Sequence, residues 1–389
     1  MKSMINKTDI TMHPLSEYLV EYKELNSENK YRPVAVGRYG IRTRESIYSK
    51  ELANDYSKNR VIYKGTLTVG MGSVQMDIGI LSDDSFYSVS PAYHTYKISG
   101  IDYNYLRYCL QCRNSDMFVR FMKRGSRQGK TIDLSRWLTY RIPVYPSSVQ
   151  REIVERLDKV QTIISSLQKQ IQLFDNLIKA RFVEMFGDPI KNPKKLSVVT
   201  LGELSELITK GASPSWQGFS YTDDKTQTLF VTSENVREGF VDIFFPKYIE
   251  DGFNEKQKRS ILKRGDFLIN IVGASIGRVA QFDYDLKANI NQAIALVRIK
   301  DKRISDKYLL TYLNSEKAKQ MYNSMKTDTG RANLSLQDIN NLSILLPPIE
   351  KQIEFEDFIT QVDKSKSAVK KALDEAQLLF DSLMQKYFG

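Results

Sequence analysis

The chain has 389 residues, of which 41% are hydrophobic and 26% charged, and a formal net charge of +11. That length accommodates two or more globular domains, and the composition excludes disordered and fibrous classes. The stretch Met1 to Pro14 has no apolar core behind its lysines, no uncharged apolar run approaches the roughly 20 residues of a membrane helix, and two cysteines three positions apart imply no disulfide framework. The expectation is a cytoplasmic protein without membrane contact, whose basic excess points to a polyanionic partner.

The first segment, residues 1–148, reads as a globular domain. Its stretch Val36 to Lys50 interleaves Arg38, Arg42 and Arg44 with Tyr39 and Tyr48. Lys64 opens a strand-like run, Tyr63 to Gly79, that contains a Gly/Ser-rich turn. A helix follows Asp102, and Cys109 and Cys112 fall inside it. A lone pair of thiols cannot supply the four ligands of zinc, so both read as core or boundary cysteines. Further cations, Lys123, Arg124, Arg127 and Lys130, stand around "GSRQGKT" (Gly125 to Thr131). This stretch is one residue short of a P-loop and follows a charged, helix-like stretch rather than a hydrophobic strand, so it cannot form the phosphate nest.

An aliphatic run, Tyr140–Tyr145, reads as a terminal strand that Pro146 stops. The helix of residues 149–187 begins at once. Ile153, Leu157, Val160, Ile164, Leu167, Ile171, Phe174 and Ile178 alternate at spacings of four and three along it, the seam of a helix that packs on another helix. Gly187 and Pro189 end it.

Residues 188–348 read as a second domain rich in polar loops. Lys210, Ser213, Ser215 and Trp216 lie in one, Asn235 and Arg237 in the next, and Ser275 and Arg278 in "GASIGR". Asn291 and Gln292 follow in "NINQ", and Arg331 in "TDTGRANLS". Arg, Asn, Gln and Ser are the side chains that read base edges, and Lys and Arg neutralise phosphates. A second strand, Leu342–Leu346, stops at Pro347-Pro348. The helix of residues 349–389 then carries Phe355, Ile359, Val362, Val369, Leu373, Phe380 and Leu383 in the same alternation, weakened by Lys366 and Ala376. A polar residue in such a seam sets register. Two such helices in one chain point to an antiparallel pair.

The chain therefore repeats itself. Pro146 and Gln150 fall on Pro348 and Gln352 at an offset of 202, and "LFDNL" (Leu173 to Leu177) falls on "LFDSL" (Leu379 to Leu383) at 206. The difference is about one helical turn. "IDYNYLRYCL" (Ile101 to Leu110) answers "ISDKYLLTYL" (Ile304 to Leu313). Charge follows the same division. Residues 1–149 are net +8 and residues 187–348 net +4, whereas residues 150–186 are +1 and residues 349–389 are −2. The basic excess lies in the globular segments, and the helices have the near-neutral surfaces of protein-binding elements.

No methyltransferase Asx-Pro-Pro-aromatic motif, Rossmann fingerprint or nuclease carboxylate cluster occurs, and His13 and His94 are too far apart in sequence to argue a triad. The pattern supports binding rather than catalysis. A coiled-coil scaffold binding only protein would explain the helices but not the basic, repeated domains.

The paired Pro-x-x-x-Gln helix starts, "GRANLSLQDI", "ILLPPIEKQ", "GDFLIN…GASIGR" and the "LFD-x-L" ends resemble the specificity subunit of type I restriction–modification enzymes over nearly the whole chain. The resemblance implies a mixed α/β fold. Two target recognition domains in tandem would be separated by two long antiparallel coiled-coil helices. Each domain would read one half of a bipartite, asymmetric site in double-stranded DNA. The helix pair would set the spacer and dock two methyltransferase subunits, which use S-adenosylmethionine, and a restriction subunit using ATP and Mg can join them. The chain itself would hold no cofactor or metal. Domain one opens with "MHPLSEYL" where domain two opens with "LGEL" (Leu201 to Leu204), so the wording of the repeat fails there.

Overall fold

Proline decides where each domain hands over to a helix, because it fixes its own backbone and disfavours helix in the residue before it. The computed structural model describes residues 10–37, 40–47, 55–125, 129–325 and 333–389. In it the chain divides into two packed units, residues 1–169 with 370–389, and residues 170–369.

Unit 1 starts with β1 (Thr11–Pro14), β2 (Leu19–Tyr22), the hairpin of β3 (Val34–Gly37) and β4 (Gly40–Thr43), and β5 (Arg60–Ile62). It continues through β6 (Thr66–Met71), β7 (Met76–Ile80), β8 (Tyr87–Val89) and β9 (His94–Ile98). Next come α1 (Tyr103–Cys112), α2 (Asn114–Phe121), the hairpin of β10 (Met122–Gly125) and β11 (Gly129–Ile132), α3 (Leu134–Trp137) and β12 (Arg141–Val144). The long helix α4 (Ser147–Phe186) follows. Strands β2, β9, β6 and β7 form an antiparallel sheet in that order. The helix-like stretch before "GSRQGKT" is α2 as far as Phe121, and only its last residues, Met122 to Arg124, depart from that reading: they join the β10–β11 hairpin, with Gly125 opposite Gly129.

Unit 2 contains β13 (Ser197–Thr200), α5 (Leu201–Leu204), β14 (Ser205–Lys210), α6 (Pro214–Gln217), β15 (Tyr221–Thr222) and β16 (Thr228–Val231). Then come β17 (Gly239–Phe240), β18 (Tyr248–Ile249), α7 (Gly252–Lys256), β19 (Phe267–Asn270), β20 (Val279–Gln281), β21 (Ala288–Ile290) and β22 (Ile294–Ile299). Helices α8 (Asp306–Leu313), α9 (Glu316–Met325) and α10 (Leu336–Asn340), strand β23 (Ser343–Leu346) and helix α11 (Ile349–Phe388) complete it. Its main sheet runs β14-β22-β19-β20-β17, which repeats the β2-β9-β6-β7 order of unit 1 and adds a strand.

The repeat is one of hydrogen bonds as well as words. Asn114 clamps Met76, accepting from its N–H at 2.9 Å and donating to its carbonyl at 3.0 Å. Asn314 clamps Val279 the same way, at 3.1 and 2.9 Å. The Tyr105 hydroxyl donates to the Pro143 carbonyl, and that of Tyr308 to the Leu345 carbonyl. Asp133 caps α3 and Ser335 caps α10. The unlike openings also match in structure: β1 pairs with β12 as β13 pairs with β23, and the N–H groups of Leu15 and Leu201 donate to the carbonyls of Tyr140 and Leu342. The two sequences differ there because only the buried leucine and the backbone pairing are required.

Both long helices start at the predicted prolines. Their packing differs from four separate segments, because the globular cores continue into the helices. In unit 1 the core includes Ile153, Leu157, Val160 and Ile164 of α4 with Phe380, Met384 and Tyr387 of α11, and Leu373, Ala376 and Leu383 pack at its margin. In unit 2 it includes Phe182 and Phe186 with Phe355 and Ile359, and Ile178 at the margin. Val362 is buried, whereas Leu167, Ile171, Phe174 and Val369 are half-buried. Toward each C-terminal end the buried stripe leaves the heptad spacing, running 178, 182, 186 in α4 and 380, 384, 388 in α11. There the helix packs on a domain core as well as on one narrow seam. Within unit 2, Lys366 pairs with Asp175 and Arg181 with Glu354, so these stretches of the two helices run antiparallel.

Candidate nucleic-acid interface

Strand ends determine where the polar loops of unit 2 go. Strands β14, β16, β19 and β21 all finish where β22 begins, since Lys210 stands opposite Ala295, Asn270 opposite Ile294, and Val231 opposite Ile290. The loops leaving those ends are tied together. Asn291 N–H donates to the Val231 carbonyl at 3.1 Å, Ile271 N–H to Ala293 at 2.9 Å, and Leu334 N–H to Ile271 at 2.9 Å. Gly211 passes so close to the chain at Ile290 that a Cβ there would lie 1.9 Å from its carbonyl oxygen. Polar loops far apart in sequence therefore share one end of the unit.

Two clefts open there. Ser213, Ser215, Phe219 and Tyr221 face Asn291 and Gln292 across the smaller one. Ser213 and Ser215 hold each other at 3.2 Å across the first turn of α6, and Trp216 beside them is 90% exposed. The larger, of about 700 Å³, is lined by Ser233, Asn235, Arg237, Asp242, Phe245, Lys247, Ser275 and Arg278 among others. The buried Asn270 amide joins its walls, donating to the Ser233 carbonyl at 2.9 Å and to Ser275 Oγ at 3.1 Å.

The structure sorts the predicted residues of unit 2. Asn235 holds its own loop, accepting from Thr232 and donating to the Asp242 carbonyl. Arg237 pairs with Asp242 at 3.4 Å, and Lys247 with Glu234 at 3.0 Å. Arg278 and Gln292 have no side-chain partner among the described residues, and Lys210 is exposed at the end of β14. Arg331 lies outside the described residues.

In unit 1 the β3–β4 hairpin packs on β7, and a Cβ at Gly79 would lie 2.5 Å from Ile41. Arg42 is exposed on that hairpin. The Arg44 guanidinium lies 5.6 Å from the Tyr56 ring centroid. Lys64 pairs with Asp84 at 2.8 Å. Lys123 pairs at 2.6 Å with Asp133, whose carboxyl it pulls down to about 2, helped by Ser135. Lys64 and Lys123 therefore arrive already compensated. Arg124 and Lys130 are paired backbone positions of the β10–β11 hairpin. Arg38, Tyr39 and Arg127 lie outside the described residues.

Some exposed residues at these ends escaped the sequence reading. Phe244 and Phe245 are 80% and 81% exposed, and their rings contact at 4.7 Å beside the larger cleft. Their "IFF" run looks like core until its position between two polar loops is weighed. Val74 is exposed in the β6–β7 turn, next to Gln75.

Among the described residues no group of three or more His, Cys, Asp or Glu is placed to hold a metal, and no helix is long and apolar enough to cross a membrane. Nδ1 of His13 meets Glu17 at 2.6 Å, and that of His94 meets Glu21 at 3.0 Å, both near the surface.

Comparison with known proteins follows the same lines. A family model described as "Type I restriction modification DNA specificity domain" matches residues 17–173 and 193–377. The chain is 24% identical over 272 residues to the type I restriction enzyme EcoBI specificity subunit of Escherichia coli, covering 64% of this chain and 57% of that one. It is 22% identical over 290 residues to the MjaVIII specificity subunit of Methanocaldococcus jannaschii, covering 69% and 67%. The match thus spans less than two thirds of the E. coli relative. In structure, the chain resembles a type I R-M system component (TM-score 0.59, 18% identity, 98% and 97% coverage) and the S subunit from M. genitalium (TM-score 0.52, 15% identity, 99% and 98% coverage). At these identities the likeness is one of fold.

Proposed function

Because the chain belongs to the family of type I restriction–modification DNA specificity proteins, we propose that it is the sequence-reading, non-catalytic subunit of such a complex in the cytoplasm. Each unit reads one half of a bipartite site in double-stranded DNA. One observation carries this reading: loops remote in sequence converge on one end of unit 2, where Trp216 and Gln292 are exposed and the half-buried Arg278 lines the larger cleft. Neutral donors beside an arginine with no carboxylate partner are suited to base edges, and the basic surplus of both globular segments supplies phosphate attraction.

The helix pair sets the spacing of the half-sites and docks partner subunits. Exposed apolar residues support the docking role, Ile163, Leu378 and Leu379 in unit 1, and Leu173, Leu177, Val183 and Ile353 in unit 2. Two methyltransferase subunits acting on adenine with S-adenosylmethionine, and a restriction subunit using ATP and Mg, are the partners this role requires. The test is a map of modified adenines in a host carrying the partner genes, with and without this chain. A bipartite motif modified only in its presence is expected. An unchanged pattern of modification would overturn the proposal.

A further inference from the structure

The paired asparagine clamps give the two units a common coordinate. Asn114 holds Met76 and Asn314 holds Val279 by both backbone groups, so the residues just before them, Gln75 and Arg278, occupy equivalent positions. Each stands at the end of a turn feeding an equivalent strand, β7 paired with β6 in unit 1 and β20 paired with β19 in unit 2. Each is half-buried, and neither has a side-chain partner among the described residues.

Both turns are tightly packed. In unit 2, Gly277 has φ +82°, its N–H donates to the Asn270 carbonyl, and a Cβ there would lie 2.5 Å from the buried Tyr322 ring. In unit 1, a Cβ on Gly72 would lie 2.3 Å from the Gln75 carbonyl oxygen. A base-reading side chain needs such a support, because loose placement forfeits bidentate geometry.

The surroundings favour contact with DNA over a role in the fold. In the larger cleft of unit 2 the other two cations are already held, Arg237 by Asp242 and Lys247 by Glu234. Arg278 is the cation left to act outward among the residues lining it. Phe245 beside Arg278 and Val74 beside Gln75 are exposed apolar neighbours suited to a thymine methyl.

We infer that Arg278 and Gln75 are equivalent base-reading residues, Arg278 taking a guanine through its planar fork and Gln75 an adenine through its amide. This rests on the proposed DNA-reading role and deepens it. The same frame would then carry a different reader in each unit, which makes the recognised site asymmetric.

The test is selection of binding sites from a random duplex library by the full chain and its variants, read by sequencing. The wild type is expected to enrich a bipartite motif. Arg278→Gln is expected to replace one guanine by adenine in one half-site and leave the other half unchanged. Gln75→Arg is expected to do the converse. Preference for the original base should fall roughly ten- to a hundredfold in each case. A circular-dichroism melt matching wild type establishes that each variant is folded, and Arg278→Lys, which keeps the charge but not the fork, should relax the same position. An unchanged motif with uniformly weaker binding would make these phosphate contacts and overturn the inference, while leaving sequence-specific reading intact. No enriched motif with the wild type would overturn the DNA-reading role itself, and this inference with it.

Discussion

The Gln352 side chain accepts a hydrogen bond from the backbone N–H of Ser305 at 2.8 Å, the residue that caps α8. Its amide donates at 2.8 Å to the carbonyls of both Pro347 and Arg303. Gln150 repeats this in unit 1, accepting from Asp102 N–H at 3.0 Å and donating to the Tyr145 carbonyl at 2.7 Å. Asp102 is the cap of α1. The Pro-x-x-x-Gln spacing thus has a physical reason. The glutamine one turn into the long helix ties the end of the last strand to the start of a domain helix.

Replacing this glutamine should therefore loosen the joint. Gln352→Ala removes the partner of the part-buried Ser305 N–H, of the Arg303 carbonyl and of the buried Pro347 carbonyl, and is expected to lower unfolding stability by about 2 kcal/mol. Gln150→Ala, with fewer bonds, should do less. Urea denaturation measures both, and a loss below about 0.5 kcal/mol for Gln352→Ala would show that the bonds do not hold the joint.

Lys366 interrupts the seam of α11 and meets Asp175 of α4, with side chains 21% and 48% exposed. A pair this open contributes little net stability. Lys366→Leu should stay within about 1 kcal/mol of wild type, because an apolar side chain fills the same seam. Lys366→Asp sets two carboxylates together and should be clearly less stable. Equal melting of the two variants would show that no specific register is enforced there.

Asp133 gives an acid-limb prediction. Lys123 first, then Ser135, hold its carboxyl at about 2, below the ordinary 3.8. The folded state therefore binds the proton less readily than the unfolded chain. Its stabilising contribution is present above pH 3.8 and is lost as pH falls toward about 2. Asp133→Asn keeps an oxygen for the α3 cap and removes the charge, so stability should fall less steeply through that window. Parallel pH profiles for the two proteins would refute the assignment.

The cysteines should be inert in the native protein. Cys109 is fully buried, and burial raises its thiol well above the ordinary range; Cys112 is half-buried, raised for the same reason, and lies 3.7 Å from the Met384 carbonyl. The thiolate is the reactive form. A maleimide at neutral pH should label neither quickly until denaturant is added. Rapid native labelling of Cys109 would contradict the packing of α1.

The spacing role predicts a change of site without a change of half-site. A four-residue insertion or deletion near Ser165, close to one helical turn, preserves the face of α4 while altering its length. The modified motif should keep both halves and change their separation. A methylation map with unchanged spacing would remove the ruler from the proposed function.

Much of the architecture is written locally. Pro146 and Pro348 stop strands and start helices through backbone geometry, and the four-three alternation from Ile153 to Ile178 marks a packing seam wherever it occurs. Repeated words at offsets of 202 to 206 disclosed two like domains, because equivalent cores demand equivalent residues. The candidate site was less legible. Arg278, Trp216 and Gln292 could be named as surface polar or aromatic residues, but so could Lys64, Lys123 and Arg237, which prove to have carboxylate partners.

Sequence by itself determined the tandem mixed α/β plan, the two long helices and the basic character of the globular segments, since proline geometry, periodicity and charge are properties of neighbouring residues. Tertiary structure alone decided which loops meet at the end of unit 2, which cations are already paired, that Phe244 and Phe245 stand exposed, and that Gln75 and Arg278 are equivalent. Those facts depend on strand order and on hydrogen bonds between residues tens of positions apart, for which no local pattern exists.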